Sequence, residues 1–548
     1  MGPQTAPVPV RRASMLARLP LVSESWFLDL ACLLVFCAIA IALYGAYATK
    51  GAWYYDDWSL YALMRDAHGG FFAEVNACAA SIPGSRTLAC LYHAGEYSVF
   101  ASHRTDYQFA SMAWLIADAT LVYLIAKRCC MRRGWALLLG ALLVLFPADD
   151  ATRLWDTASI GQYVVALALG SALLALIALG FRGRRSLLLG GASAVLAVFA
   201  MATYEIAIPL VALSGVLYVL VYRSRRALAW WALDIGLVLA FLIYRVLIEP
   251  VSSTSGLNVH RSVAQTIDRV RTLLRAAWST WKFVYVPGRV GSYALVVLVV
   301  VVVVSVAVAR DAVARMRIAR WLALGLFGVA VAAASALVFL TANDYYVPVA
   351  AATFNRLNLP GSFGYIVVAV ALLGVVCEIA VQITRRRLVG VAAVVALVVP
   401  SAAHQISISR SHIQAWEASW TAQQQAIAGY RVALRGVPSN ANVVGFDTPI
   451  WESGYVPVFA ASWDLRGAID YETAVNPPIA WPLFPGLSCG ATGVLDGATV
   501  AIPYSTPGAP TYFVSPVRRV ARIVNNERDC SRTIAQWGRA PLFAPTVG

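Results

Sequence analysis

Positions 26–47 read WFLDLACLLVFCAIAIALYGAY, and WYYDDW follows close behind at positions 53–58. The first stretch holds one charged residue, Asp29, in an otherwise apolar run from Trp26 to Tyr47. A run of about 20 apolar residues spans a hydrocarbon core of about 30 Å. Hydrocarbon offers a bare backbone no hydrogen bonds, so such a run must be helical. It is too long for a signal-peptide core of about 7–15 residues and reads as a retained first helix.

The rest of the chain repeats this pattern. Of 548 residues, 60% are hydrophobic and 13% charged, about half the charge of a typical soluble domain. The net charge of +15 is carried by short clusters between apolar runs, not by a basic domain with interleaved aromatics, which argues against nucleic-acid binding. The clusters are Arg11, Arg12 and Arg18, then Lys127-Arg128 with Arg132-Arg133, Arg182/Arg184/Arg185, Arg223/Arg225/Arg226, Arg310 to Arg320, and Arg385-Arg386-Arg387. Each lies two crossings from the one before, which places them and the N-terminus in the cytoplasm. Helices are expected near 27–47, 108–126, 134–148, 160–180, 187–203, 206–222, 229–248, 291–309, 321–341, 362–384 and 388–404. These are about eleven crossings, and they leave residues 405–548 outside. Cys78 and Cys90 then share the first outer loop, about 48–107, and Cys489 and Cys530 share the outer tail; both pairs could form disulfides there.

The loop from Glu249 to Val290 breaks the charge rule, because it carries Arg261, Arg269, Arg271, Arg275, Lys282 and Arg289 yet falls outside. Within it Val263, Ile267, Val270, Leu274, Trp278 and Trp281 recur at helical spacing, predicting an amphipathic helix at about 261–285 able to lie in the headgroup layer. The tail from Gln405 opens with a polar helical stretch, Ile413 to Leu434. Strand-like runs follow, such as Val443-Val444-Gly445-Phe446, broken by Pro and Gly. The expected organisation is a membrane module over 1–404 and a small extracytoplasmic α/β or mostly β domain over 405–548.

Asp56 and Asp57 stand where the first helix leaves the membrane, between Tyr55 and Trp58. A carboxylate beside apolar rings has its pKa raised towards the range useful for taking a proton, and aromatic faces are platforms for sugar rings. An ordinary interfacial belt with solvated acids would read the same way. An apolar first helix followed at once by an acidic pair resembles the GT-C superfamily of integral membrane glycosyltransferases. These include protein O-mannosyltransferases, the lipid A aminoarabinose transferase and the mycobacterial arabinosyltransferases. The resemblance covers the overall plan, with Tyr55-Asp56-Asp57-Trp58 as its sharp motif and Arg356, in a late outer loop, as a second likeness. It implies a GT-C-like fold and an inverting transfer from a polyprenyl-phosphate sugar to an envelope glycan, lipid or protein in a bacterial plasma membrane. Asp56 would deprotonate the acceptor hydroxyl and Asp57 would support it. Several relatives have Asp-Glu where this chain has Asp-Asp, so the assignment within the pair stays open.

Glycosyl transfer also needs positive charge near the departing phosphate. Arg356, Lys282, Arg289 and Arg261 are the candidates, since Arg grips phosphate oxygens bidentately; attraction to anionic headgroups would also account for the basic helix. Asp149, Asp150 and Asp156 are clustered carboxylates that could bind Mg²⁺ or Mn²⁺, or could simply be solvated. Glu205 is a candidate pocket residue after Tyr204, or a helix-terminal acid in water. Asp234 and Arg245 read as structural, the six histidines lack metal-ligand spacing, and no nucleotide-binding loop is present. A lipid-linked glycan polymerase or ligase and a transporter or flippase are the rival readings.

Overall fold

The structure is a computed structural model that describes residues 26–81, 86–248, 261–285, 312–344, 346–452, 456–483, 487–496, 499–506 and 509–537. Helix α1 is Trp26–Ala48, and three short helices follow, α2 (Asp56–Asp66), α3 (Phe71–Ser81) and α4 (Thr87–Phe100). Then come α5 (Arg104–Arg128), α6 (Arg133–Leu145), α7 (Asp156–Leu179), α8 (Arg184–Thr203), α9 (Ile208–Tyr222, preceded by a 3-10 turn from Glu205), α10 (Arg225–Ile248), α11 (Val263–Tyr285), α12 (Ala312–Leu337), α13 (Leu359–Thr384) and α14 (Arg387–Ala433). Among the described residues nine helices are long and apolar enough to cross a membrane, and α6 is a shorter apolar helix. The expected crossing at 291–309 lies outside the described residues. The protein is a polytopic helical membrane protein. Leu34, Leu187, Val246 and Leu388 point away from the protein, which is tolerable only where hydrocarbon is the solvent.

Small residues set the close helix contacts. Gly364 of α13 lies so near α12 that an added Cβ would stand 2.5 Å from the Ala332 nitrogen and the Gly328 oxygen, the kind of approach that lets van der Waals packing hold helices together in lipid. Helix α6 stops at Phe146, which is extended because Pro147 disfavours the helical conformation in the residue before it.

Helix α14 departs from expectation. The sequence turns polar after residue 404, yet the helix runs on unbroken from Arg387 to Ala433, with Pro400 inside it. At about 1.5 Å per residue it is roughly 70 Å long, enough to cross a membrane and continue into the C-terminal domain. That domain contains β1 (Asn442–Gly445), β2 (Trp451–Glu452), β3 (Val456–Pro457), α15 (Ser462–Glu472), β4 (Ala480–Pro482), β5 (Leu487–Cys489), β6 (Gly493–Asp496), β7 (Thr499–Pro503), β8 (Ser505–Thr506), β9 (Ala509–Ser515), β10 (Val520–Ile523) and α16 (Glu527–Trp537). Strand β1 pairs in parallel with β4 and β9, and β10 closes the edge antiparallel to β9. Val443, Val444, Phe513 and Val514 are fully buried, as befits strands covered on both faces. A second antiparallel sheet, β5-β6-β7, is tied to α16 by the Cys489–Cys530 disulfide.

The first loop and this domain share one core. Trp53, Trp58, Tyr61 and Tyr107 pack with Tyr430, Val458, Leu465 and Ile469, and the Cys78–Cys90 disulfide lies among them. Helix α15 sits directly on α2: a Cβ on Gly467 would stand 2.5 Å from the Trp58 oxygen and the Ser59 nitrogen.

Candidate active site

The chain leaves α1 and turns at Gly51, whose φ of +58° and whose clearance from Thr105 (2.9 Å for an added Cβ) exclude a side chain. At the start of α2, Tyr55 adopts φ 47° and ψ −116°, a strained conformation for a non-glycine residue that a surrounding structure has to enforce. Its ring stands edge-on to Trp155 at 5.6 Å and Trp463 at 5.5 Å. This turn sends the two following carboxylates in opposite directions.

Asp57 points inwards and is fully buried. Its two oxygens accept hydrogen bonds from the Tyr54 and Thr157 backbone N–H groups, each at 2.8 Å. Burial, reinforced by the nearby Asp156, holds its carboxyl well above the usual carboxylate range. Asp57 therefore ties the first turn of α2 to the first turn of α7. Trp58 is also structural: it is buried, and its indole N–H donates to Gln423 of α14 at 2.7 Å.

Asp56 points into a cavity of about 640 Å³ lined by side chains from both modules, among them Arg86, His93, Trp155, Arg356, Trp463 and Arg466. The half-buried carboxylate accepts a hydrogen bond from the Trp463 indole N–H at 2.8 Å. Burial raises its pKa; Arg356 and the indole N–H pull it part of the way back. The group is thus a stronger base than a free aspartate, yet a cation and a donor favour its charged form.

Arg356 lies over the Trp155 ring at 4.6 Å and the Phe354 ring at 5.2 Å, and donates to the Thr353 carbonyl at 2.7 Å. Stacked between rings, a planar guanidinium keeps its edge available for an anion. Arg86 also faces the cavity, 4.6 Å over the Tyr204 ring, but Glu205 holds it through both carboxylate oxygens, one contact at 3.0 Å. Arg245 adds a second cation 3.5 Å from Glu205. Glu205 thus anchors an arginine rather than facing the cavity. His93 is a buried part of the wall, 3.6 Å from Glu96; burial pushes its pKa down to about 4, so its ring is neutral at ordinary pH.

The remaining predicted residues lie elsewhere. Asp149 pairs with Arg153 at 2.6 Å, Asp150 accepts from Asn355 at 2.5 Å and contacts His412 at 2.7 Å, and Asp156 accepts from the Tyr61 hydroxyl. These carboxylates face different partners, and among the described residues no group of three acidic, His or Cys side chains converges on a metal-sized site. The possible shared Mg²⁺ or Mn²⁺ site is therefore not assembled by these three, and they are not solvated loop acids either, since all three are fully buried. Arg261 donates to the Leu340 and Ala342 carbonyls and to Asp344. Arg269, buried, donates to four carbonyls between Phe339 and Tyr346. The basic helix thus pins the segment before Arg356. Lys282 is half-buried in the last turn of α11 and does not line the cavity, and Arg289 lies outside the described residues.

Sequence reasoning missed Arg86, His93, Trp155, Trp463 and Arg466. Only Arg86 had a usable signal, since it lies between two cysteines that the fold joins; the others reach the cavity by tertiary packing. No family model matches the chain, and a search of curated proteins finds no match.

Proposed function

We propose that the chain is a GT-C-like membrane glycosyltransferase of a bacterial plasma membrane, working on the extracytoplasmic face. It transfers a sugar from a polyprenyl-phosphate donor to a hydroxyl of an envelope glycan, lipid or protein. The observation that carries this reading is the pairing, in one aromatic-walled cavity, of a half-buried carboxylate on α2 with a ring-stacked arginine in the segment before α13.

Asp56 takes the proton of the acceptor hydroxyl as its oxygen attacks the anomeric carbon. The bond from that carbon to the phosphate oxygen breaks, and polyprenyl phosphate leaves with the bonding pair. Arg356, with Arg86 in the same cavity wall, meets the negative charge that develops there. Attack opposite the leaving phosphate inverts the anomeric centre. Asp57 holds the turn that aims Asp56. The clusters Lys127–Arg133, Arg182–Arg185, Arg223–Arg226 and Arg385–Arg387 fall at helix ends remote from the C-terminal domain. By the positive-inside tendency this supports an extracytoplasmic domain and cavity, and two disulfides on the domain side fit an oxidising compartment.

The test is turnover of reconstituted protein with a panel of radiolabelled polyprenyl-phosphate sugars, wild type beside Asp56→Asn. Transfer by the wild type and its loss in the variant are expected; undiminished transfer by Asp56→Asn removes the reading.

A further inference from the structure

We propose that Trp463 is a positioning residue for Asp56: its indole N–H fixes the carboxylate, so that the C-terminal domain completes the catalytic centre. This rests on Asp56 as the general base. The two residues stand 407 positions apart, and the indole nitrogen lies 2.8 Å from Asp56 Oδ1. Trp463 is 46% exposed, so apolar burial alone does not account for its place; its one polar atom is spent on the carboxylate.

Two contacts set the register of α15 against α2, and a third fixes where α15 begins. Gly467, one turn beyond Trp463, touches the backbone of Trp58 and Ser59 and has no room for a Cβ. Asp464 is buried and accepts from the Ala460 and Ala461 N–H groups at 2.8 and 3.1 Å, fixing the start of the helix. Arg65 of α2 donates to Asp470 at 3.0 Å near its end. With the register held, the indole can only meet α2 at its first turn, where Asp56 sits.

The chemical consequence follows from the two oxygens of a carboxylate. With Oδ1 held by the indole, Oδ2 is left to receive the acceptor proton. Without the indole, the strongest remaining attraction on the group is Arg356, and a carboxylate turned towards that cation is aimed at the leaving-group side of the cavity. A base must lie within hydrogen-bond reach of the proton it takes, so the same residue in the wrong rotamer is a poor base.

The experiment uses full-length protein reconstituted in liposomes, with kcat and donor KM measured across pH. Trp463→Phe keeps the ring and removes the donor. Its kcat is expected to fall roughly tenfold with donor KM unchanged, and the acid limb of kcat to move up by about one pH unit, the order of worth of a hydrogen bond to a charged group. Trp463→Gln puts an amide nitrogen the same number of bonds from Cβ, and is expected to return the limb to its wild-type position. Gly467→Ala, which lifts α15 while leaving the indole intact, is expected to reproduce the shift. A wild-type limb and plateau in Trp463→Phe overturns the proposal, as does a Trp463→Gln limb no different from that of Trp463→Phe. Full activity of Asp56→Asn would instead remove the general-base reading beneath it.

Discussion

Two stretches near the domain end of the helix bundle look alike in sequence and behave differently in the fold. Tyr55-Asp56-Asp57-Trp58 and Asp149-Asp150 with Arg153, Trp155 and Asp156 both set adjacent acids near a tryptophan beside a long helix. In the first, a strained turn at Tyr55 splits the pair, so Asp57 becomes structural and Asp56 faces the cavity. In the second, every acid meets a cationic or hydrogen-bonding partner inside the protein. The lesson is that two adjacent carboxylates advertise little by themselves. What decides their use is whether the fold supplies a partner that consumes the charge, and a buried carboxylate without one is too costly to keep.

Removing each acid of the first pair in turn separates their roles. Asp56→Asn is expected to lower turnover by roughly 10²–10⁴-fold, the usual worth of a general base, with little change in the thermal midpoint. Asp57→Asn is expected to weigh the other way: it disturbs the link between α2 and α7 and lowers the midpoint, while turnover of the folded protein falls less than in Asp56→Asn, through the loosened turn that aims Asp56. Equal behaviour of the two variants would mean that the pair is not divided. Next comes the loop at 149–156. Arg153→Met leaves Asp149 buried without its cation, a loss of about 3–5 kcal/mol for a broken buried pair. It should appear in detergent melts and be partly recovered in the Asp149→Asn/Arg153→Met double variant. No recovery would argue that Arg153 acts through its bonds to Tyr44 and to the Leu143 and Val144 carbonyls.

A smaller effect concerns pH. As the proposed base Asp56 must be ionised to act, and burial raises its pKa above the ordinary aspartate value. Activity is therefore expected to be present at higher pH and to be lost as pH falls through that raised value. Arg356→Gln removes the main charge that holds the pKa down, so the acid limb is expected to move to higher pH by roughly one unit, and the plateau to drop roughly tenfold as a charge-assisted contact to the phosphate is lost. An unmoved limb would separate Arg356 from Asp56 electrostatically.

How much of this could be read from the sequence follows the range of the forces involved. The spans were legible because a helix in hydrocarbon must write its own length into consecutive residues; Trp26–Ala48 and Arg225–Ile248 are plain in the composition alone. The cysteine pairs were legible because they fell within single expected segments. The full extent of α14 was not, because one backbone conformation passes between two solvents: Val391 and Val395 face hydrocarbon and Gln423 contacts Trp58, so a change of composition reads as a break. The motif at 55–58 pointed to the cavity, but not to which acid faces it; that depends on the positive φ of Tyr55, whose ring sits between Trp155 and Trp463 from distant parts of the chain. The role of Glu205 was hidden for the same reason, since its partners Arg86 and Arg245 arrive from other elements.

Removal of divalent cations is expected to have no effect. Mg²⁺ demands near-ideal octahedral oxygen geometry and is usually held by one or two carboxylates and waters. Asp149 is already matched by Arg153, which Tyr44 and two backbone carbonyls also hold, so a cation there would stand beside a fixed guanidinium. Asp150 gives one oxygen to Asn355 and the other to His412, and Asp156 faces the Tyr61 hydroxyl of another element. A cation at Asp150 would leave the Asn355 amide or the His412 ring without its acceptor, which costs free energy. Protein stripped with EDTA is therefore expected to transfer sugar at the untreated rate, and added Mg²⁺ or Mn²⁺ to leave that rate unchanged. A rate that falls with EDTA and returns with the cation would mean that the loop at 149–156 opens during turnover. The two acidic stretches would then serve one reaction, and the contrast between them would hold only for the closed state.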